Sequence, residues 1–146
     1  MMNVYFSCSI TGGRADQSVY AEIVAILQSN GCIVPTAHLA SPDLAQLEAD
    51  AQAEEIYQRD IAWVRACDAL IAEVSTPSHG VGYEIAEAVG CGKRVLCLYR
   101  EGAHVSKILT GNKEENFQIH AYKDNHQLQE AINSFLSQSS FANFRG

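Results

Sequence analysis

The sequence predicts one α/β domain built on an open, doubly wound parallel sheet of five strands in the order 2-1-3-4-5. Three observations carry this. Apolar runs of strand length alternate with stretches of helical period along nearly the whole chain. The run at 69–74 is continuously apolar, as a strand covered on both faces must be. A length of 146 residues leaves no room for a second full domain, and such a chain buries roughly two-thirds of its unfolded surface without help from disulfides or metal. Right-handed helical crossovers then give the stated order.

In chain order, residues 4–8 read as the first strand, stopped by the turn-prone Ser9-Ile10-Thr11-Gly12-Gly13. Asp16 or Ser18 caps a helix whose Tyr20, Ile23, Val24 and Leu27 make one buried stripe, ended at Asn30-Gly31. Residues 32–34 form a short second strand. A loop through Pro35 and Pro42 leads into a helix that ends near Ala66, and the third strand is 69–74. The turn-rich segment 75–82 precedes a helix from about Tyr83 to Cys91. The fourth strand is 94–99, a short helix lies around 105–109, and the fifth strand is 118–121. Leu128, Ile132 and Phe135, at i, i+4 and i+7, define the last helix. The domain is thus expected over 1–136, with 137–146 a fraying tail whose Phe141 and Phe144 alone argue for docking.

Composition excludes several classes. Ten Lys+Arg against 17 Asp+Glu give a net charge of −7, which repels a polymeric nucleic acid unless the basic residues cluster, and they do not. No apolar run approaches the ~18 residues of a membrane span, and the amino terminus lacks a basic segment followed by a long apolar one. The chain is expected to be soluble, free of membrane contact and cytoplasmic, or nuclear in a eukaryote. Five cysteines without a CxxC pair read as reduced core residues. The five histidines show no zinc spacing, so no metal is expected.

In the order 2-1-3-4-5 the chain reverses between strands 1 and 3, and a ligand belongs at the carboxyl ends of those strands, where 9–13 and 78–82 emerge. The 9–13 loop lacks the spacing of a dinucleotide or triphosphate motif. It reads as an oxyanion cradle or, equally, as a plain strand-to-helix turn. Glu84, placed in the first turn of its helix, is held ionised by the helix dipole as a nucleophile requires; simple dipole preference explains it too. Asp60 shares a face with the apolar stripe Tyr57, Ile61 and Val64, so an acid is taken inward. It is a general acid or a hydrogen-bonded edge residue. Tyr5 is core, or a hydroxyl donor to an acid. Two carboxylates beside a phosphate cradle suggest displacement at a sugar carbon.

The segments Val4-Tyr5-Phe6-Ser7-Cys8-Ser9-Ile10-Thr11-Gly12-Gly13-Arg14, Asp60-Ile61-Ala62-Trp63, Ala66-Cys67-Asp68-Ala69, Ala72-Glu73-Val74-Ser75 and Ser78-His79-Gly80-Val81-Gly82-Tyr83-Glu84 occur in that order. Together they resemble the signature of the 2'-deoxynucleoside 5'-monophosphate N-glycosidases, within the nucleoside 2-deoxyribosyltransferase superfamily. The resemblance runs from residue 4 to about 136 and implies a flavodoxin-like fold and a homodimer. It gives Glu84 the role of nucleophile and Asp60 that of the acid assisting the departing base, with Tyr5 positioning the carboxylates. Ser78, Gly80 and Ser9, Ile10, Thr11, Gly12 and Gly13 match the 5'-phosphate cradle. Ser106, in Val105-Ser106-Lys107-Ile108, matches a serine that reaches the phosphate from the neighbouring subunit, and His38, in Ala37-His38-Leu39, matches a histidine on the nucleobase side. Cys8 stands where the family usually has Gly, and Thr11 where many members have Arg.

The implied partner is a small deoxynucleoside monophosphate, cleaved hydrolytically to free base and 2-deoxyribose 5-phosphate without metal or organic cofactor. A deoxyribosyltransferase, a ribonucleotide N-glycosidase of CMP type and a nucleotide-binding sensor without turnover are the competing readings. The serines at 9, 78 and 106 argue against the first, and Glu84 together with Asp60 against the last.

Overall fold

A computed structural model of the chain describes residues 1–10, 14–41 and 48–138. Strands β1 (Val4–Ser7), β2 (Ala69–Glu73), β3 (Arg94–Arg100) and β4 (Phe117–Tyr122) pair in parallel in that order. The register sets Tyr5 beside Leu70 and Ser7 beside Ala72. The connecting elements are α1 (Arg14–Ser29), a 3-10 turn (Ala37–Ala40), α2 (Ala53–Ala66), α3 (His79–Gly90), α4 (Lys107–Thr110) and α5 (Asn125–Ser137).

Strand alternation sorts the sheet into two cores. Val4, Phe6, Ile71, Leu96 and Leu98 pack on one face against the α1 stripe Tyr20, Ile23, Val24 and Leu27 and against Leu128, Ile132 and Phe135 of α5. Tyr5, Leu70, Ala72, Val95 and Cys97 pack on the other against Val64 of α2 and Val81, Ile85 and Ala88 of α3. The sheet is therefore covered on both faces, and each large apolar side chain buried in either core contributes about 1.5–3 kcal/mol. Helices α1 and α3 end in the same way: Gly31 (φ +80°) and Gly92 (φ +76°) adopt the left-handed conformation that closes the last turn. The Gly31 N–H donates to Gln28 and the Cys32 N–H to Leu27.

The expected second strand is corrected. Among the described residues the sheet has four strands, and 32–34 contributes a single parallel bridge, Asn3 to Ile33. Ile33 donates to Met2 O and accepts from Val4 N. The next ladder donor would be residue 35, and Pro35 has no N–H. The buried Thr36 hydroxyl takes over, accepting from Phe6 N at 2.9 Å and donating to Phe6 O at 2.8 Å.

Three smaller expectations change. Helix α1 begins at Arg14, so Asp16 lies within its first turn, not at its cap. Helix α3 begins at His79 with Ser78 as its cap, four residues before the expected start, which puts Glu84 in the second turn. Tyr57 is half exposed and stands edge-on to Tyr83 at 6.3 Å instead of joining Ile61 and Val64 in the core. Of the cysteines, 8, 67 and 97 are buried, Cys32 is partly so and Cys91 is exposed; none of the five is in a disulfide. Residues 139–146, most of the expected tail with Phe141 and Phe144, lie outside the described residues, as does Pro42.

Candidate active site

A cavity of about 640 Å³ opens at the carboxyl edge of the sheet, walled by Cys8 and Ile10 after β1, by Asp60 and Ile61 of α2, and by Ser78, Gly80 and Glu84 at the start of α3. Its size is that of a small-molecule site. Among the described residues no three His, Cys, Asp or Glu side chains cluster as a metal site needs, and no helix is long and apolar enough to cross a membrane.

Glu84 is the centre of the arrangement. Tyr5 and Ser7, two residues apart on β1, point to the same face and both donate to it, the Tyr5 hydroxyl to Oε2 and the Ser7 hydroxyl to Oε1 at 2.9 Å. Burial pushes the Glu84 carboxyl above its ordinary value; the Tyr5 and Ser7 donors pull it back, and the charge of Asp60 pushes it up again. Tyr5 is fully buried. Burial, and then the Glu84 charge, drive its phenol well above the ordinary range, so it stays a proton donor to the carboxylate. Ser7 was not singled out from the sequence; its signal was the alternation that pairs it with Tyr5. Cys8 follows on the opposite face, its thiol pushed up to about 12 by burial and the charges of Glu84, Glu73 and Asp16, which leaves it a thiol and not a nucleophile.

Asp60 reaches the same cavity from α2, and its Oδ1 accepts from Arg59 Nε at 2.8 Å. Arg59 Nη2 also donates to Glu48 Oε1 at 3.0 Å, which lies 3.1 Å from His38 Nε2. Burial alone would raise the Glu48 carboxyl, but hydrogen bonds from Arg59 and His38 outweigh it and hold Glu48 below its ordinary value. His38 is thus joined to Asp60 through two residues that periodicity gave no reason to pick, and it does not itself line the described cavity.

On the cradle side, Ser9 is buried and its hydroxyl has no partner among the described residues. Ile10 is half exposed on the cavity wall. Thr11, Gly12 and Gly13 lie outside the described residues. The Ser78 hydroxyl accepts from Val81 N at 3.4 Å, a long cap that leaves its proton free to donate. A Cβ on Gly80 would meet only Ser78 Oγ at 3.9 Å, so packing does not demand glycine there. Behind this wall, buried Asp16 accepts from Thr76 at 2.5 Å and from Arg100. Fully buried Glu73 accepts from the Ser75 N–H at 2.6 Å, from the Ser75 hydroxyl at 3.0 Å and from Tyr122, so the loop that leads to Ser78 is tied down residue by residue.

Ser106 is not brought to this cavity within the chain. It caps α4, accepting from Ile108 N at 3.2 Å, and lines a neighbouring apolar groove of about 1230 Å³ that shares Pro77, Ser78, His79 and Val81 with the cavity.

An acid held by two hydroxyls at a sheet-edge cavity, facing a second acid, is the layout of an enzyme acting on a small polar substrate. Residues 4–135 match the family described as nucleoside 2-deoxyribosyltransferase, and the chain belongs to that family. It is 40% identical over 127 residues to the 5-hydroxymethyl-dUMP N-hydrolase of Mus musculus, covering 84% of this chain and 73% of that one. It is also 38% identical over 134 residues to a Methanosarcina mazei protein provisionally named 2'-deoxynucleoside 5'-phosphate N-hydrolase 1, covering 92% and 83%. Among solved structures, the CMP N-glycosidase of Clostridium botulinum superposes with a TM-score of 0.66 at 16% identity over 90% of this chain and 98% of that one, a likeness of fold.

Proposed function

We propose that the chain hydrolyses the N-glycosidic bond of a 2'-deoxynucleoside 5'-monophosphate, giving free base and 2-deoxyribose 5-phosphate, and that residues 1–136 form the catalytic unit. The observation that carries this reading is the Glu84 carboxylate, gripped through both oxygens by Tyr5 and Ser7 at a cavity whose other wall presents Asp60. Two carboxyl groups in one pocket are the usual arrangement for cleavage at an anomeric carbon, and the names of the relatives point to the same reaction.

In this mechanism a Glu84 oxygen bonds to C1' as the C1'–N bond breaks, through an oxocarbenium-like transition state. Asp60 gives its proton to the departing base. Water then attacks C1' of the glycosyl ester and restores the Glu84 carboxylate, with Asp60 accepting the water's proton. Tyr5 and Ser7 keep the carboxylate aimed and replace the water that burial removes. The Ser9 hydroxyl, without a partner among the described residues, supports a 5'-phosphate site together with the Ser78 hydroxyl and Gly80; Ile10, Thr11, Gly12 and Gly13 complete the cradle in this reading and His38 stands on the base side.

The active unit in this reading is a homodimer. The apolar groove beside the cavity exposes Ile108 almost fully, and a second copy seated there would place its Ser106 by the phosphate. The reaction is tested by incubating the protein with deoxynucleoside monophosphates, the matching nucleosides and CMP, with and without a second free base, and following free base by chromatography. Base release from the deoxynucleoside monophosphates alone is expected. Sugar transfer to the added base identifies a transferase, and release from CMP alone a ribonucleotide glycosidase.

A further inference from the structure

Asp60 and His38 are separate candidates in the sequence, and the fold links them by a chain of side-chain contacts. Arg59 Nε donates to Asp60 Oδ1 at 2.8 Å, Arg59 Nη2 donates to Glu48 Oε1 at 3.0 Å, and Glu48 Oε1 lies 3.1 Å from His38 Nε2. Neighbours in sequence on a helix do not face one another, so α2 alone would not bring Arg59 onto Asp60. Two outside holds turn it there. Trp63, one turn on, lies under the guanidinium at 5.1 Å and meets the His38 ring edge-on at 6.1 Å. Glu48, from the segment before α2, takes the far end of the fork. Asp60 Oδ2 has no protein hydrogen bond among the described residues, while Asp60 lines the cavity.

Resting on the proposed glycosidase reading and going beyond it, we infer that Arg59 is a positioning residue for the departing base, fixed by Glu48 and Trp63 and acting through Asp60. Its bond to Oδ1 sets the carboxyl plane and reserves Oδ2 for the base. The step starts from the substrate complex in which Asp60 has taken a proton from solvent on Oδ2; that proton moves to the base nitrogen as the C1'–N bonding pair passes to that nitrogen. Negative charge then grows on Asp60, and the Arg59 N–H already points at it. A charge-assisted hydrogen bond of this kind strengthens as the step proceeds, so it lowers the barrier and not merely the energy of the bound substrate. An exposed ion pair without such a role contributes little, which makes the two cases separable.

The test is steady-state cleavage of two deoxynucleoside monophosphates, one with a base that leaves readily and one with a base that leaves poorly. The proteins compared are wild type, Arg59→Met, Arg59→Lys, Asp60→Asn and the double variant Asp60→Asn/Arg59→Met. Methionine keeps the apolar stem on Trp63, and thermal midpoints check the fold of each protein. Arg59→Met is expected to lower kcat about ten- to a hundredfold with KM within about threefold, more for the poor leaving base, and Arg59→Lys to recover part of the loss. In the Asp60→Asn background, removing Arg59 is expected to change kcat by less than about twofold, because its effect passes through the lost acid. Glu48→Gln reproduces a fraction of the Arg59→Met loss. Equal losses from Arg59→Met with and without Asp60, or a rise in KM at unchanged kcat, overturns the inference while leaving the glycosidase reading standing. No base release by the wild type from any monophosphate overturns both.

Discussion

The Glu84 carboxylate is held by two hydroxyl donors in a buried place, and each of these facts has a measurable effect. Removing the Tyr5 donor withdraws a hydrogen bond that favours the ionised form. In Tyr5→Phe the acid limb of the pH profile of kcat/KM is therefore expected to move up by about one to two units, read from initial rates between pH 4 and 8. Burial has a second consequence. Because the folded-state value of Glu84 is raised, its contribution to stability is complete below the ordinary glutamate value of 4.5 and is lost as pH rises through the folded value. Glu84→Gln is thus expected to melt higher than wild type at pH 7, with the advantage gone near pH 4, an exchange of stability for function seen at many active sites. That Asp60 and Glu84 would meet at one sheet edge was legible because a helix face and a helix start converge there; the Tyr5 contact with Glu84 was left open between core and donor by the residue pattern, and only the family resemblance pointed to it. Ser7, Glu48 and Arg59 were not legible. A serine inside a strand has no signature beyond alternation, and contacts that join Glu48, ahead of α2, to the middle of that helix depend on tertiary packing, which periodicity does not carry.

At the scale of elements, the sequence over-read one strand and under-read one helix. Residues 32–34 have strand composition, but Pro35 removes the donor that would continue the ladder, and Thr36 satisfies Phe6 in place of a strand. Thr36→Val keeps the shape and leaves the Phe6 N–H and C=O buried without partners. It is expected to destabilise the fold by about 1–3 kcal/mol for each group left unpaired, measured as a lower urea midpoint at unchanged slope. Helix α3 was placed late because Gly80 and Gly82 count as turn residues in any local reading, yet both lie within the helix that Ser78 caps. The correction changes the physics of the site: Glu84, in the second turn, is held less by the helix dipole than by the two β1 hydroxyls, which reach it only because β1 and α3 meet at the sheet edge. The helices that carry one clean apolar stripe, α1 and α5, were legible down to the buried residues, since amphipathic period is a property of the local sequence.

At the scale of the molecule, alternating strands and helices with right-handed crossovers pointed to the carboxyl ends of the 4–8 and 69–74 strands as the ligand edge; the cavity opens there, although the change of winding direction at β1 rests on the single bridge Asn3 to Ile33 and not on a second strand. What lay beyond the reach of local pattern is the second groove, which forms only when α3 and α4 are set side by side. If a second copy covers it, Ile108→Glu should give a monomer by light scattering and raise KM for the monophosphate, since the site loses its neighbour's Ser106. Glu84 is the group proposed to bond to the sugar, and turnover of a deoxynucleoside monophosphate by Glu84→Gln decides it, with nucleotide binding followed by calorimetry in the same preparation. The prediction is binding within a few-fold of wild type and a kcat lower by more than about a thousandfold; a kcat within tenfold of wild type would contradict it.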